Sequence, residues 1–467
     1  MSAGIAAERG RRLRLALFYV LMLAAAAALF LLIRARGEAI PVPRDAGGPA
    51  PAEGPGTPKV DAVFHVLLAL VVVMVVGQVL ARLFVRLGQP PVLGEVVGGI
   101  LLGPSLLGWL WPGAYAFLLP PAVAPYLGVV AQLGVILYMF LVGLELNAGL
   151  LRGQAHAAVT ISHAGIVLPF LLGAALALLL YPRLAGPGVP FTSFALFLGV
   201  ALAITAFPVL ARILTDRGIS RTELGTLALS CAAAGDVTAW CLLAVVVGVA
   251  RSELGAAALV LAGSAAYLAF VVLAVRPLAA RFAARCDRDG LPRGAFALVL
   301  GALVLSALAT DAIGIHALFG AFLLGAVVPH DSVLAREFTR RTEDLVTVLL
   351  LPAFFAFTGL RTEIGLLSGA EDWLFCGLIT LVATAGKYGG SLAAARLAGL
   401  PWRTAAALGA LMNTRGLMEL IVLNVGLDLK VISPALFAMM VLMALATTLA
   451  TAPALRLLTP RGSKPAC

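Results

Sequence analysis

Charge is scarce in this sequence: 12% of residues are charged and 61% are hydrophobic, against roughly 25% and 45–50% in ordinary soluble domains. That balance argues against a water-soluble fold. Cysteine is scarce too. The five cysteines show no close metal-ligand spacing, and Cys231 and Cys241 share one apolar stretch, so neither a disulfide framework nor a zinc site is indicated. A nucleophile constellation, a metal-ligand cluster and a glycine-rich phosphate loop are all missing. An enzyme is therefore not expected, and no cofactor or metal is implied.

What the chain has in quantity is apolar length. Runs of about 20 residues, enough to cross a hydrocarbon core of roughly 30 Å, recur from Leu15 to Leu455 with short polar interruptions. They divide into fourteen candidate spans, predicting an all-α polytopic membrane protein. Residues 1–33, a basic start followed by an apolar stretch, read as a retained transmembrane helix: Leu15 to Ile33 exceeds a signal-peptide core, and no clean cleavage site follows. Residues 34–60, rich in Pro, Gly and charge, read as a periplasmic linker. Residues 61–460 form the main membrane domain, with thirteen core spans beginning near Val63, Pro91, Tyr126, Ala157, Thr192, Leu224, Leu254, Ala295, Ile313, Leu345, Trp373, Thr404 and Pro434. A short cytoplasmic tail, residues 461–467, ends the sequence.

A formal charge of +10 raises the question of nucleic acid, and the placement of the basic residues answers it. Arg9 to Arg14, Arg276 to Arg293, Arg336 to Arg341 and the group Arg456, Arg461 and Lys464 all fall on one side if the N-terminus is cytoplasmic. This is the positive-inside pattern. It predicts a multi-pass protein of a bacterial inner membrane with both termini cytoplasmic and no nucleic-acid partner.

The chain also echoes itself. Gly98-Gly-Ile-Leu-Leu-Gly103 in the second core span resembles Gly320-Ala-Phe-Leu-Leu-Gly325 in the ninth, and Phe140-Leu-Val-Gly-Leu-Glu145 in the third resembles Ala356-Phe-Thr-Gly-Leu-Arg361 in the tenth. Each pair lies seven spans apart, so the copies run through the membrane in opposite directions. Such inverted repeats place substrate sites near the midplane, where broken helices from the two halves meet. The fifth and twelfth core spans are the corresponding pair. In the fifth, Pro208 removes a backbone donor and crowds the preceding turn, so the helix is expected to break near Thr205. In the twelfth, Asn413-Thr-Arg-Gly-Leu-Met-Glu419 puts polar and charged groups in mid-span, which a continuous helix in lipid does not favour.

Asp236 lies deep in an apolar span, where an ionised carboxylate costs at least a few kcal/mol unless compensated. Burial disfavours its charged form, so a proton and a desolvated cation compete to neutralise it, and that competition couples two fluxes. The structural alternative is a carboxylate that pairs with an arginine or caps a broken helix. Lys387, the one lysine within a span, is the natural partner across the bundle, with snorkelling as its alternative. Arg415 and Glu419 stand four apart, on one helical face, and read as an ion pair beside the break. Thr205, Asn413 and Thr414 offer oxygens either to a cation or to broken backbone. Glu95 and Glu145 sit near span ends, where interfacial solvation is the default; His163 and His316 fall within spans as packing histidines. Gly94, Gly98, Gly99 and Gly103 permit close helix packing.

Residues 62–457 resemble the second branch of the monovalent cation:proton antiporter superfamily. The resemblance rests on Pro91-Val-Leu-Gly-Glu-Val-Val-Gly-Gly-Ile-Leu-Leu-Gly-Pro-Ser105, Phe140 to Glu145, Thr205-Ala-Phe-Pro-Val-Leu-Ala-Arg212, Gly386-Lys387 and Asn413-Thr-Arg-Gly416. It implies the inverted-repeat antiporter fold with two crossed broken helices, and a core domain sliding against a dimerisation domain in a homodimer. It also implies exchange of Na+ or K+ for H+, with Asp236 as the ion-binding aspartate and Lys387 as the basic residue facing it. The chain departs from the family at Gly235, where the family has Asp, Asn or Gln. The departure leaves Asp236 as the one obvious carboxylate, and electroneutral one-for-one exchange is the expectation, with Asp236 and Lys387 paired in the unloaded state. Two other readings fit parts of the pattern: a sodium-coupled organic-anion symporter, for which Arg415 is the sole anion-binding candidate, and a transport-inactive membrane sensor or scaffold.

Overall fold

In a bilayer no water pairs with exposed backbone groups, so each apolar segment satisfies its own amides within a helix. The computed structural model describes residues 2–43, 62–145, 150–220, 222–251, 254–314 and 316–458, and among these it contains helices and turns but no strand. The first half of the chain forms α1 (Ser2–Gly37), α2 (Ala62–Arg86), α3 (Pro91–Leu102), α4 (Pro112–Leu118), α5 (Ala124–Glu145), α6 (Leu150–Leu184), α7 (Phe191–Ala203), α8 (Phe207–Asp216) and α9 (Glu223–Arg251). The second forms α10 (Leu254–Phe270), α11 (Arg276–Asp289), α12 (Arg293–Ile313), α13 (Ala317–Val327), α14 (Val333–Asp344) and α15 (Leu351–Leu360). It ends with α16 (Ala370–Leu397), α17 (Trp402–Met412), α18 (Leu417–Asp428) and α19 (Pro434–Leu458).

Among the described residues, eleven helical stretches are long and apolar enough to cross a membrane. The other three predicted spans correspond to α13, to α16 with its buried Lys387, and to the interrupted pair α17 and α18. The ninth core span is shorter than its sequence suggests. Gly314, at a left-handed φ of 98°, ends α12, and His316 caps the N-terminus of α13 instead of lying inside a span. The tenth is longer: a π-helical stretch, Leu345–Leu350, joins α14 to α15, so helix begins at Val333. At the N-terminus, α1 runs past residue 33 to Gly37 and lies along α6, with Phe30 and Phe170 ring centroids 5.6 Å apart. Most of the expected linker, residues 44–60, and the whole tail, 461–467, lie outside the described residues.

The helices sort into two bundles. In one, α2, α3, α5, α12, α13 and α15 pack together; in the other, α6, α7, α8, α9 and α16 to α19 do, with α1 alongside. The sequence echoes explain the first. α3 packs on α15 and α13 packs on α5, and the contacting residues are the repeat-related ones. A methyl group at Gly103 would lie 2.4 Å from the Gly359 carbonyl oxygen, and one at Gly325 would lie 2.3 Å from the Phe140 carbonyl oxygen and 3.0 Å from the Gly143 Cα. Gly103 with Gly359 thus maps onto Gly325 with Gly143, as the inverted repeat requires. Both crossings are backbone against backbone, a packing that small residues allow.

This makes a prediction about stability. Gly359→Ala puts its methyl 2.1 Å from Gly99 backbone atoms that cannot give way, and overpacking of this kind costs about 1–3 kcal/mol. Its thermal unfolding midpoint in detergent should fall well below that of Gly377→Ala, which meets nothing within 4 Å. Equal midpoints for the two variants would contradict the crossing.

Candidate functional site

The second bundle is built around two interruptions. α7 ends at Ala203, residues Ile204 to Ala206 are extended, and α8 restarts with Pro208 in its first turn, where a missing backbone donor has no cost. The break thus falls at Thr205, as expected. α17 ends at Met412, Asn413 caps it, and α18 restarts after Gly416. Four backbone groups lose helical partners at each such end, and the two breaks satisfy one another. The Ala206 amide donates to the Thr414 carbonyl at 3.0 Å, and the Thr205 hydroxyl donates to the Met412 carbonyl at 3.0 Å.

A buried ion pair fixes the same junction. Arg415 and Glu419 are both 0% exposed, with Nη1 of Arg415 3.0 Å from Oε2 of Glu419. The guanidinium also donates to the carbonyls of Ala201 at 3.0 Å and Leu202 at 2.6 Å, in the last turn of α7. From the interruption itself, this one side chain neutralises a carboxylate in the first turn of α18 and caps the C-terminal end of the opposing half-helix, where the dipole is negative. Thr448 of α19 completes the arrangement. Its hydroxyl accepts from the Arg415 amide at 2.9 Å and donates to the Arg415 carbonyl at 2.8 Å. Sequence reading missed Thr448, whose only signal is a polar pair, Thr447-Thr448, in mid-span.

Asp236 is 3% exposed, on α9, which packs against α7, α8 and α17, the segments flanking both breaks. Its neighbour Gly235 faces α6: a Cβ there would lie 3.0 Å from Oγ of Ser162. Lys387, 1% exposed on α16, lies within electrostatic range of Asp236, Arg415 and Glu419. The expected direct pair needs correcting. Among the described residues, Asp236 and Lys387 form no ion pair within 4 Å; the ammonium donates instead to the Ala203 carbonyl at the C-terminal end of α7. The reason is local: the break leaves that carbonyl without a helical donor, at the negative end of a half-helix.

Oxygen donors remain at the junction. Asn413 Oδ1 and Thr414 Oγ1 are buried with no hydrogen-bond partner; away from the break, the hydroxyls of Ser162 on α6 and Ser391 on α16, which stands against Gly165, are likewise unpaired. Carboxylate, amide and hydroxyl oxygens are the ligand types that hard cations take. The site thus combines a buried carboxylate, unpaired neutral oxygens and a buried ammonium.

Residues 66–457 match the family described as sodium/hydrogen exchanger, transmembrane. The chain belongs to the sodium/hydrogen exchanger family. It is 43% identical over 391 residues to Na(+)/H(+) antiporter NhaS4 of Synechocystis, an alignment spanning 83% of this chain and 95% of that protein. It is 41% identical over 399 residues to cation/H(+) antiporter 19 of Arabidopsis thaliana and 32% identical over 388 residues to K(+)/H(+) antiporter 1 of Saccharomyces cerevisiae. Those alignments span 84% and 81% of this chain but only 49% and 44% of the relatives, so the chain spans about half the length of the plant and yeast proteins. Among solved structures, the sodium proton antiporter MjNhaP1 from Methanocaldococcus jannaschii superposes with a TM-score of 0.64 at 15% identity, covering 85% of this chain and all of that one. That likeness shows a shared fold.

In this exchanger the two bundles leave cavities between them. The larger, about 740 Å³, lies between α5, α15 and the end of α18, and it includes Gln132, Arg361 and Asp428. Arg361 crosses the seam, reaching Oδ1 of Asp428 at 2.6 Å and Oδ1 of Asn424 at 3.2 Å while lying over the Phe357 ring. Neither Asp236 nor Lys387 lines it. Glu95 and Glu145 belong to the first bundle, on α3 and α5, and both lie, with Asp236, within electrostatic range of Tyr138.

Proposed function

We propose that this protein exchanges a monovalent cation, Na+ or K+, for H+ across a bacterial inner membrane by alternating access, with both termini cytoplasmic. The observation that carries the reading is Asp236, a carboxylate buried on the helix packed against both breaks. A proton or a cation each neutralises it, and each excludes the other. Asn413 Oδ1 and Thr414 Oγ1 supply neutral oxygens at the same junction. The half-helix ends, Arg415 and Glu419 keep the breaks rigid, so the second bundle moves as a unit against the first. The chain acts as a homodimer, with α2, α3, α5, α12, α13 and α15 as the stationary part in the bilayer.

The relatives' names support cation:proton exchange and divide on the ion, with Na+ in the cyanobacterial protein and K+ in the yeast one. Proton movement in everted vesicles on adding Na+, K+, Li+ or choline tests the proposal. Proton release with one or more of the alkali cations, and none with choline, is the expected result. Silence with all of them would refute exchange. The organic-anion reading loses ground because the Arg415 guanidinium already serves Glu419, Ala201 and Leu202.

Exchange is electroneutral. Gly235 supplies no second carboxylate beside Asp236, so a single negative site carries one proton one way and one monovalent cation the other. In proteoliposomes the rate should stay constant when the membrane potential is clamped at different values with valinomycin and K+ gradients in a Na+ assay. A rate that rises several-fold with potential would overturn the one-for-one stoichiometry.

A further inference from the structure

A second inter-bundle cavity has a different chemistry from the transport site. It measures about 360 Å³ and lies where the α2–α3 turn, carrying Gly88 and Gln89, meets α8 and α19. Three arginines face it: Arg212 in the middle of α8, Arg217 just beyond its C-terminus, and Arg456 near the end of α19. No acidic residue stands among its described lining residues. Arginines are expected at the cytoplasmic ends of spans, and here three of them, from two helices, border one concave space.

The cluster is held together. Arg217 Nη2 donates to the Ala452 carbonyl at 2.8 Å, tying α8 to α19. Partial burial, and after it the neighbouring Arg456 charge, push the Arg217 guanidinium below its usual range. Gln89 adds a complementary group. Its Nε2 donates to the Leu449 carbonyl at 3.3 Å, while its Oε1 is buried with no hydrogen-bond partner. A guanidinium fork matches the geometry of phosphate oxygens, and an unpaired amide oxygen matches a hydroxyl or a protonated phosphate oxygen. The volume falls within the roughly 300–1,000 Å³ of small-ligand sites.

We propose that this cavity is a binding site for a phosphate-bearing anion, clamped by Arg212, Arg217 and Arg456 between the two bundles. Its walls come from both sides of the seam, the α2–α3 turn on one and α8 and α19 on the other. The anion makes its full set of contacts only in the arrangement seen here, so it favours that arrangement over others and slows turnover. The phosphate belongs either to a lipid headgroup or to a soluble phosphate compound, and the two sources are separable.

The test uses the full chain purified in detergent. Its thermal unfolding midpoint is followed on adding phosphatidylglycerol, with phosphatidylcholine as reference, and separately on adding inorganic phosphate, with chloride at matched ionic strength as reference. Arg456→Gln and the double variant Arg212→Gln/Arg456→Gln keep the Arg217 bond to Ala452. Arg340→Gln, an exposed arginine elsewhere, serves as the control. The native chain and the control should be stabilised by at least one of the two additives. The concentration needed should rise about tenfold or more in the Arg456 and double variants, as expected on losing a charge-assisted contact. A response to phosphatidylglycerol alone identifies a headgroup site, and a response to inorganic phosphate alone a soluble ligand. The proposal fails if neither additive stabilises the native chain beyond its reference, or if the control loses as much as the double variant.

Discussion

Replacing Asp236 by asparagine is expected to reduce cation-driven proton movement to the level of empty vesicles while leaving the protein folded. The substitution keeps size and hydrogen-bonding capacity and removes only the titrating charge. The second part of the expectation separates function from structure. An ionised carboxylate with no ion pair is a burden in an apolar interior, where an unpaired buried charge is neutralised or compensated at the expense of stability. Asp236→Asn should therefore raise the unfolding midpoint or leave it unchanged, since active sites often trade stability for activity. If Asp236 served only to cap a broken helix, the variant would lose stability and retain exchange. Measuring vesicle transport and unfolding on the same preparation distinguishes the two outcomes.

Arg415→Met carries the largest expected structural penalty. It leaves Glu419 as an uncompensated charge at 0% exposure and takes the donor from the carbonyls of Ala201 and Leu202. Breaking a buried pair by removing one partner costs about 3–5 kcal/mol, enough to depress both the unfolding midpoint and the yield of folded protein. Adding Glu419→Met should recover part of the loss, because the stranded charge goes, but not all of it, because the two carbonyls remain unserved. Arg415→Lys should rescue incompletely, since a single ammonium cannot reach three acceptors in the directions a guanidinium does. A single Arg415→Met variant with native stability would show that the junction is held by something else.

The parts of this site that were legible in the sequence are those where a local rule is broken. Pro208 in an apolar run places the first interruption, the charged insert Asn413 to Glu419 places the second, and an aspartate among alanines marks α9. The pairing of Arg415 with Glu419 was legible from their spacing, although Arg415 lies in the interruption before α18 and not on a shared helical face. The illegible parts depend on groups that leave no sequence signature. Lys387 finds the Ala203 carbonyl instead of Asp236, because a half-helix end presents unpaired oxygens that any residue type supplies. Ser162 stands against Gly235 from a helix far away in sequence, and serines in apolar helices are too common to single out. The shortened ninth span escaped for a related reason. Hydropathy continues across residues 313–317, while a left-handed Gly314 interrupts the backbone.

The contact between Arg415 and α7 also bears on how the chain is made. Synthesis proceeds from the N-terminus, and a lone arginine at membrane depth resists release into lipid, by about 2.5–3.5 kcal/mol at the centre of a span. Its acceptors, Ala201 and Leu202, are laid down more than 200 residues earlier. The second half of the repeat thus needs the first as its template: α17 settles in the bilayer only against an α7 already waiting there. Expressed alone, the C-terminal half should be retained by insertion chaperones and degraded, and co-expression of residues 1–253 as a separate polypeptide should restore it.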